Sequence, residues 1–248
     1  MTLRRGLIAA AGNYKSPISV DAVTFDGSND YTTRGADLTG AANGKLGIAS
    51  FWINTNTIAA QVIYRGTNQL MRILLLNDNT IQVRGQNAAV STILQMASTT
   101  VLSTGKWHHV LASWDLANTV GHLYCDGQED QAGGSTLTDD TIDYTDTDHA
   151  IGASPAGGTK LNGDLAEVYI NLAEYIDLSV QANRQKFRVQ HHFPANVGAA
   201  GATPTGTAPI MYFKASSGTP ANFANNLGGG GNFSVTGTLT NASSSPSD

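Results

Sequence analysis

The chain has 248 residues and is 41% hydrophobic, enough for one large domain or one domain with a small appendage. Its net charge is −5 and no basic tract occurs, which argues against nucleic acid as a partner because phosphate binding needs clustered Lys or Arg. Cys125 is the single cysteine, so an intrachain disulfide is excluded. Only 13% of the residues are charged and 27 are glycine, a composition typical of a turn-rich β protein.

Residues 1–20 predict an N-terminal arm or linker, with two arginines, small residues and then Ser16-Pro17. The apolar run at this end spans about six residues, fewer than the 7–15 of a signal-peptide core. No stretch approaches the roughly 20 apolar residues of a transmembrane helix. We therefore predict no signal peptide and no membrane insertion. The arm either docks on a neighbouring subunit or is a partly ordered terminus.

Short segments rich in aromatic and β-branched residues recur along the chain between turn signals, which predicts an antiparallel β-sandwich. Segment 46–55 alternates Ile, Ser, Trp and Asn with Ala, Phe and Ile, as a core strand does. Segment 88–100 is left open between a strand pair and an irregular crossing. The other predicted strands, the first with its turn, are 22–31, 61–64, 70–76, 80–84, 106–114, 122–125, 164–170, 210–213 and 233–237.

The stretch 105–127, GKWHHVLASWDLANTVGHLYCDG, contains two of these strands. Both faces of the strand 106–114 carry large apolar groups, which predicts a strand covered on both sides. Asp126-Gly127 tolerates two positive φ angles and predicts a tight hairpin turn. One face of the strand holds Trp107, His109, Leu111 and Ser113, and the other holds His108, Val110, Ala112 and Trp114.

The segment 172–190, LAEYIDLSVQANRQKFRVQ, is the one good helix candidate. Asp177 or Ser179 is the predicted N-cap, and Lys186 and Arg188 suit the C-terminal end. After about residue 194 the composition shifts to small residues. This shift predicts a C-terminal extension, 195–248, packed on the sandwich or on a neighbouring subunit.

Three parts of the chain carry a family resemblance. The Gly-Lys-Trp-His-His-Val strand, the Ser-Trp-Asp turn and the Leu-Tyr-x-Asp-Gly hairpin resemble the middle of a laminin-G-like domain of the concanavalin-A-like superfamily. Residues 25–31 resemble the opening strand and turn of that family, and 151–153 with 161–170 its closing strands. The resemblance implies an all-β jelly-roll sandwich over 21–194, with one short helix and extended termini.

The C-terminal extension resembles the corresponding part of laminin-G-like proteins encoded by tailed phages, through PTGTAPI…YF, Asn-Leu-Gly and Phe-x-Val-Thr-Gly-x-Leu-Thr. This resemblance implies a non-enzymatic structural protein of a phage virion, present in many copies among other virion proteins and binding host-surface glycan. Assembly in the host cytoplasm fits the predicted lack of a signal peptide. The alternatives are a soluble lectin-like carbohydrate-binding module of a bacterial secreted protein and, third, a glycan-degrading enzyme.

We predict no catalytic residues. Relatives that cleave glucans carry Glu-x-Asp-x-x-Glu on one strand, whereas Glu167 stands alone and Glu129-Asp130 follows a turn. No Gly-x-Ser-x-Gly nucleophile elbow occurs. Adjacent histidines on a strand point to opposite faces, so neither His108-His109 nor His191-His192 is suited to chelate one metal ion. We expect His109 to be a core histidine bonded to a backbone carbonyl.

No metal site is assigned, but the acidic loop, residues 139–148, is the candidate for calcium because it holds five carboxylates without Lys or Arg. Asp146 and Asp148 are the residues to mutate first. The alternative is a loop that is merely solvated. Cys125 is expected to be a buried small hydrophobe.

Sugar binding without hydrolysis usually needs an exposed aromatic side chain. All three tryptophans lie in predicted strands and are expected in the core. Tyr31 and Tyr144 are the candidates for exposed aromatics, with coverage of the sandwich edges as the alternative role.

Overall fold

The computed structural model describes residues 16–189 and 192–248 and shows two large antiparallel β-sheets packed face to face. Its strands are numbered in chain order. They are β1 (Val23–Asp26), β2 (Tyr31–Thr33), β3 (Leu46–Thr55), β4 (Gln61–Gly66), β5 (Met71–Leu75), β6 (Ile81–Gln86), β7 (Thr92–Ala97), β8 (His108–Asp115), β9 (Val120–Cys125), β10 (Gln128–Glu129), β11 (Thr136–Leu137), β12 (His149–Ile151), β13 (Asn162–Asn171), β14 (Arg188–Val189), β15 (Phe193–Pro194), β16 (Met211–Phe213), β17 (Ser234–Thr236) and β18 (Thr240–Asn241).

The first sheet has the order β10-β9-β8-β3-β13-β1-β18, and β16 also pairs with β13. The second sheet has the order β11-β7-β6-β5-β4-β12-β2-β17. A separate hairpin is formed by β14 and β15. The predicted jelly-roll sandwich is therefore confirmed. The part of segment 88–100 that is a strand is β7. The sequence pattern had not predicted β2, whereas β12 overlaps at Ile151 the closing strand that the family resemblance implied.

The core lies between the two sheets, where alternate side chains of each strand point inward. From the first sheet, Phe51 and Trp114 are completely buried, and they face Ile73 and Val83 of the second. Burying one such side chain contributes about 1.5–3 kcal/mol of hydrophobic free energy. The predicted alternation in 46–55 and 106–114 is confirmed, because the inward set of each strand belongs to this core.

The outer face of the first sheet is covered as well. Leu111 and Tyr124 of the sheet pack against Ile176, Leu178 and Phe187, which belong to the chain that follows β13. These residues form a second apolar cluster on the far side of the sheet. The prediction that strand 106–114 is covered on both sides is confirmed.

The helix is shorter than predicted: α1 spans Gln181–Arg184, and a 3-10 helix spans Pro220–Ala224. The predicted caps are wrong, because Val180 occupies the N-cap position without a side-chain hydrogen bond. Asp177 Oδ1 instead accepts a hydrogen bond from the Ser179 amide at 2.9 Å. Packing of the apolar residues before α1 on the first sheet overrides the helical spacing.

The tight turn after β9 is as predicted, with φ of 51° at Asp126 and 78° at Gly127. Residues 195–248 contribute β16 and β18 to the first sheet and β17 to the second. The division at residue 194 and contact with a neighbouring subunit stay predictions. Most of the predicted arm, residues 1–15, lies outside the described residues. Within the described ranges, no helix has the length and apolar character to cross a bilayer.

Candidate functional site

An open groove lies on the outer face of the first sheet, beside the turn that joins β9 to β10. It encloses about 420 Å³. We call it the aromatic groove. It is lined by Trp52, Trp107, Asp126, His192, Phe193, Ser245, Pro246 and Asp248.

Two tryptophans form one wall of the aromatic groove. Trp52 on β3 pairs with His109 on β8, and their ring centroids lie 4.7 Å apart. Trp107 is only half-buried, and its Nε1 donates to Ser244 Oγ at 3.1 Å. The prediction of a core position for Trp107 is wrong, because this residue precedes β8 on the outer face. Its accessible surface can pack against a sugar ring.

The C-terminal residues form the opposite wall and are held in place. Ser247 Oγ accepts from the Val20 amide at 3.1 Å, and the Ser245 amide donates to Asp248 Oδ2 at 2.6 Å. Because these contacts order the wall before any ligand arrives, binding in the groove requires little further ordering.

Asp126 supplies the groove with a fixed carboxylate. Its Oδ2 accepts from His108 Nδ1 at 2.7 Å, and its Oδ1 accepts from the His109 amide at 2.9 Å. Burial alone would raise the pKa of Asp126, but these hydrogen bonds hold it below its usual range. The carboxylate therefore stays ionised at neutral pH and can accept hydrogen bonds from hydroxyl groups.

Ser103, His108 and Asp126 form a chain that sequence reasoning missed. Ser103 Oγ lies 2.9 Å from His108 Nε2, and the Ser103 amide also donates to this nitrogen at 3.2 Å. His108 therefore carries its proton on Nδ1 and donates it to Asp126. The distances match a nucleophilic triad. Of these three residues only Asp126 lines the aromatic groove, and His108 positions it.

His109 is buried, as expected, but its partner is the Ser50 hydroxyl at 2.9 Å instead of a backbone carbonyl. Burial, with a contribution from Arg188, lowers its pKa to about 3, so its ring is neutral. His192 lines the aromatic groove, and His191 lies outside the described residues.

The carboxylates of the acidic loop are bound by separate protein donors. Asp148 Oδ1 accepts from Thr33 Oγ1 at 2.8 Å and from the Gly35 amide at 2.7 Å. Asp146 accepts two hydrogen bonds of 2.9 Å from Asn68. Over 16–189 and 192–248, no group of three or more His, Cys, Asp or Glu is arranged to hold a metal ion. The contacts give the loop a structural role.

Tyr144, in the same loop, is not exposed, so this prediction is wrong. It is 1% exposed, and its hydroxyl donates to the Leu46 carbonyl at 2.7 Å and accepts from Trp114 Nε1 at 2.8 Å. The chain turns Tyr144 inward because the core offers these two polar partners. Tyr31 is half-buried at the start of β2.

The remaining candidates are dispersed. Glu167 lies at a β-bulge with φ of 50°, forms an ion pair with Lys214 at 3.3 Å, and has its pKa raised by burial. Glu129 is exposed, whereas Asp130 is buried and accepts from the Thr100 amide at 3.0 Å. Cys125 is buried, as predicted, and burial raises the pKa of its thiol.

Residues 25–172 match the family model described as the concanavalin A-like lectin/glucanases superfamily, and the chain belongs to this family. It is similar to a candidate carbohydrate-binding protein from Bacteroides ovatus, at 15% identity and a TM-score of 0.64 over 92% of this chain. The chain spans 62% of that protein's length. It also resembles a heptameric pentraxin from Limulus polyphemus, at 13% identity and a TM-score of 0.56, covering 90% of this chain and 94% of the pentraxin. These identities establish the fold alone. No curated protein sequence matches the chain.

Proposed function

We propose that this protein is a non-enzymatic glycan-binding domain whose ligand occupies the aromatic groove. The observation that supports this proposal is the pairing of an accessible tryptophan, Trp107, with an ionised carboxylate, Asp126, in one preformed groove. An aromatic ring packs against the C–H face of a sugar, while a carboxylate accepts its hydroxyl hydrogen bonds.

The state of Asp126 favours binding over cleavage. A glycosidase needs a carboxyl group whose pKa is raised, so that it can protonate the leaving oxygen. Asp126 has the opposite shift, because two donors hold its charge. The name of the Bacteroides ovatus protein is in keeping with glycan binding on this fold.

The test is a glycan array followed by calorimetry with the best ligand. Trp107→Ala should weaken binding by about tenfold or more, which corresponds to a stacking contribution of about 1.4 kcal/mol. Tyr31→Ala removes a half-buried aromatic from the other sheet and serves as the matched control, with unchanged affinity expected. An array without any ligand would contradict glycan binding, and a Trp107→Ala variant of unchanged affinity would contradict the groove as its site.

We further propose that the domain is displayed in many copies on the virion of a tailed phage. The resemblance of the C-terminal extension to laminin-G-like phage proteins supports this proposal. Many copies on one particle turn weak contacts with host glycan into firm attachment. Immunogold electron microscopy of phage from the source lysate should place regular label on the head or tail. Unlabelled particles, with the protein free in the lysate, would contradict a virion location.

A further inference from the structure

Three arginines stand side by side on the second sheet. Strand pairing places Arg65 of β4 opposite Arg72 of β5, and Arg72 opposite Arg84 of β6. Directly paired residues share one face of a sheet, and their Cβ atoms lie about 5 Å apart. The three side chains therefore form a line that crosses the strands. We call these residues the arginine row.

The arginine row has no internal counter-charge in contact. In residues 16–189 and 192–248, none of the three forms an ion pair with a carboxylate. Arg72 donates to the side-chain oxygen of Gln69, and Arg84 to the hydroxyl of Thr92, so these partners are neutral. The Nε atoms of Arg65 and Arg72 are buried without an acceptor.

Asp146 acts electrostatically on Arg65, but it forms no ion pair with the arginine row, and its carboxylate accepts two hydrogen bonds from Asn68. Within the described residues, the arginine row therefore has no ion-paired carboxylate, which leaves it able to bind an anionic partner.

Such a row costs folding stability, because like charges directly opposite one another in a sheet repel. Burial, with the neighbouring charges of Arg84 and Arg65, lowers the pKa of Arg72 to about 10. Arg72 remains charged at neutral pH despite this shift. A row of like charges that no ion pair of the described residues offsets is typical of a binding surface.

The side chains beside the arginine row are small or polar, and Ala150, next to Arg65, is fully buried. The line of paired residues that contains the arginine row continues through small or polar side chains to both edges of the second sheet. The apolar segment that covers the outer face of the first sheet does not pack on the arginine row. On the outward face, Arg72, Gln82 and Arg84 are half-buried, whereas Gln86 at the end of β6 is buried. The flanking positions are Ala150, Thr33 and Ser234 on one side and Gln95 and Thr136 on the other.

We propose that the arginine row binds an acidic polysaccharide laid across the strands, through its carboxylate or sulfate groups. Guanidinium groups pair with such oxyanions through paired, charge-assisted hydrogen bonds. An extended polymer presents successive anions to successive arginines, while flanking hydroxyl and amide groups suit sugar hydroxyls. Nucleic acid is a poorer match, because three cations on a chain of net charge −5 support few phosphate contacts.

The experiment compares binding to dextran sulfate, polygalacturonate, neutral dextran and a short DNA duplex by affinity electrophoresis of the full chain. The double variant Arg72→Gln/Arg84→Gln should lose about ten- to hundredfold in affinity for the charged polysaccharides. The matched control Lys45→Gln/Lys160→Gln removes two positive charges elsewhere and should retain the wild-type affinity for the charged polysaccharides. The sulfate and uronate arms identify which anion is preferred.

Three outcomes would overturn this assignment: equal loss in the lysine control, no preference of the wild type for charged polymers over dextran, or tighter binding to DNA. Trp107→Ala keeps the two sites distinct, because it should weaken any binding of neutral glycan by about tenfold or more while leaving the affinity for charged polymers unchanged. The arginine row and the aromatic groove lie on different sheets, so either can fail without the other.

Discussion

The two charged regions of this molecule have opposite arrangements. The acidic loop is conspicuous in the sequence, yet its carboxylates are bound by donors of the same chain, as Asp148 is by Thr33 and Gly35. The arginine row is dispersed in the sequence, yet strand pairing lines it up, and none of its members is ion-paired to a carboxylate in the part of the chain that the structure describes. The density of charged residues along the sequence therefore predicts the role of neither region. The role depends on which charged side chains are hydrogen-bonded or ion-paired within the fold.

The largest loss of stability is expected from a substitution of Tyr144, the residue of the acidic loop that is buried in the core. Tyr144→Ala should destabilise the protein by about 3–5 kcal/mol, because it leaves a cavity and removes the partner of Trp114 Nε1. Urea unfolding measures this change. Tyr31→Ala, at a half-buried site, is the comparison and should cost less. Equal losses in the two variants would mean that the loop is not anchored through Tyr144.

The second-largest effect is expected for Asp148→Ala, which should lower the free energy of unfolding by about 1.5–3 kcal/mol. It leaves the Gly35 amide and the Thr33 hydroxyl without their charged acceptor. Asp139→Ala is the control, because its exposed ion pair with Lys45 should leave the unfolding midpoint unchanged. Added calcium or chelator should shift neither midpoint. A rise of the wild-type midpoint with calcium would restore the loop as a metal site.

Acid should weaken the contacts through which Asp37 holds the acidic loop. Burial alone would raise the pKa of Asp37, but donors that include His149 Nε2, at 3.0 Å, and the Asp146 amide lower it below 3.8. This contribution is fully present above about pH 4 and is lost as pH falls through the lower folded value. In urea unfolding at several pH values, Asp37→Asn should therefore lose stability at neutral pH and converge on the wild type in acid. A constant difference would contradict this linkage.

The smallest effect has the opposite sign. Arg72→Gln should raise the free energy of unfolding by about 0.2–1 kcal/mol, because it removes the middle charge of the arginine row. Chemical denaturation at low salt measures the gain, which added salt should reduce. Lys160→Gln, outside the row, should give no gain. A destabilised Arg72→Gln would show that the stem of Arg72 contributes more through packing than its charge costs.

The sequence predicted what depends on local pattern. Alternation located β3 and β8 and their two covered faces, and the Asp126-Gly127 dipeptide located the hairpin. Features that depend on distant partners were missed. Tyr144 was expected at the surface, but the Leu46 carbonyl and Trp114 Nε1 meet it inside.

Both proposed binding surfaces also depend on residues that are distant in the sequence. Arg65, Arg72 and Arg84 are ordinary isolated charges until the register of three strands is known. The aromatic groove brings Trp107 together with residues 245–248, which lie more than a hundred positions away. The one signal available for the row was that Arg72 and Arg84 lie in the consecutive predicted strands 70–76 and 80–84, with Arg65 just after 61–64. This signal cannot be interpreted before the strand register is known.

The pairing of β1 has a consequence for the timing of folding. Val23 is opposite Leu165 on one side and Asn241 on the other, so β1 waits for its second neighbour until residue 241 has been synthesised. At ribosomal rates of about 5–20 residues per second, that interval is roughly 10–45 seconds. Until β18 has been synthesised, β1 has at most β13 as a neighbour, and contacts so distant in sequence form slowly. Completion of the first sheet is thus a late event, and a nascent chain interrupted before residue 240 leaves one side of β1 open to other strands.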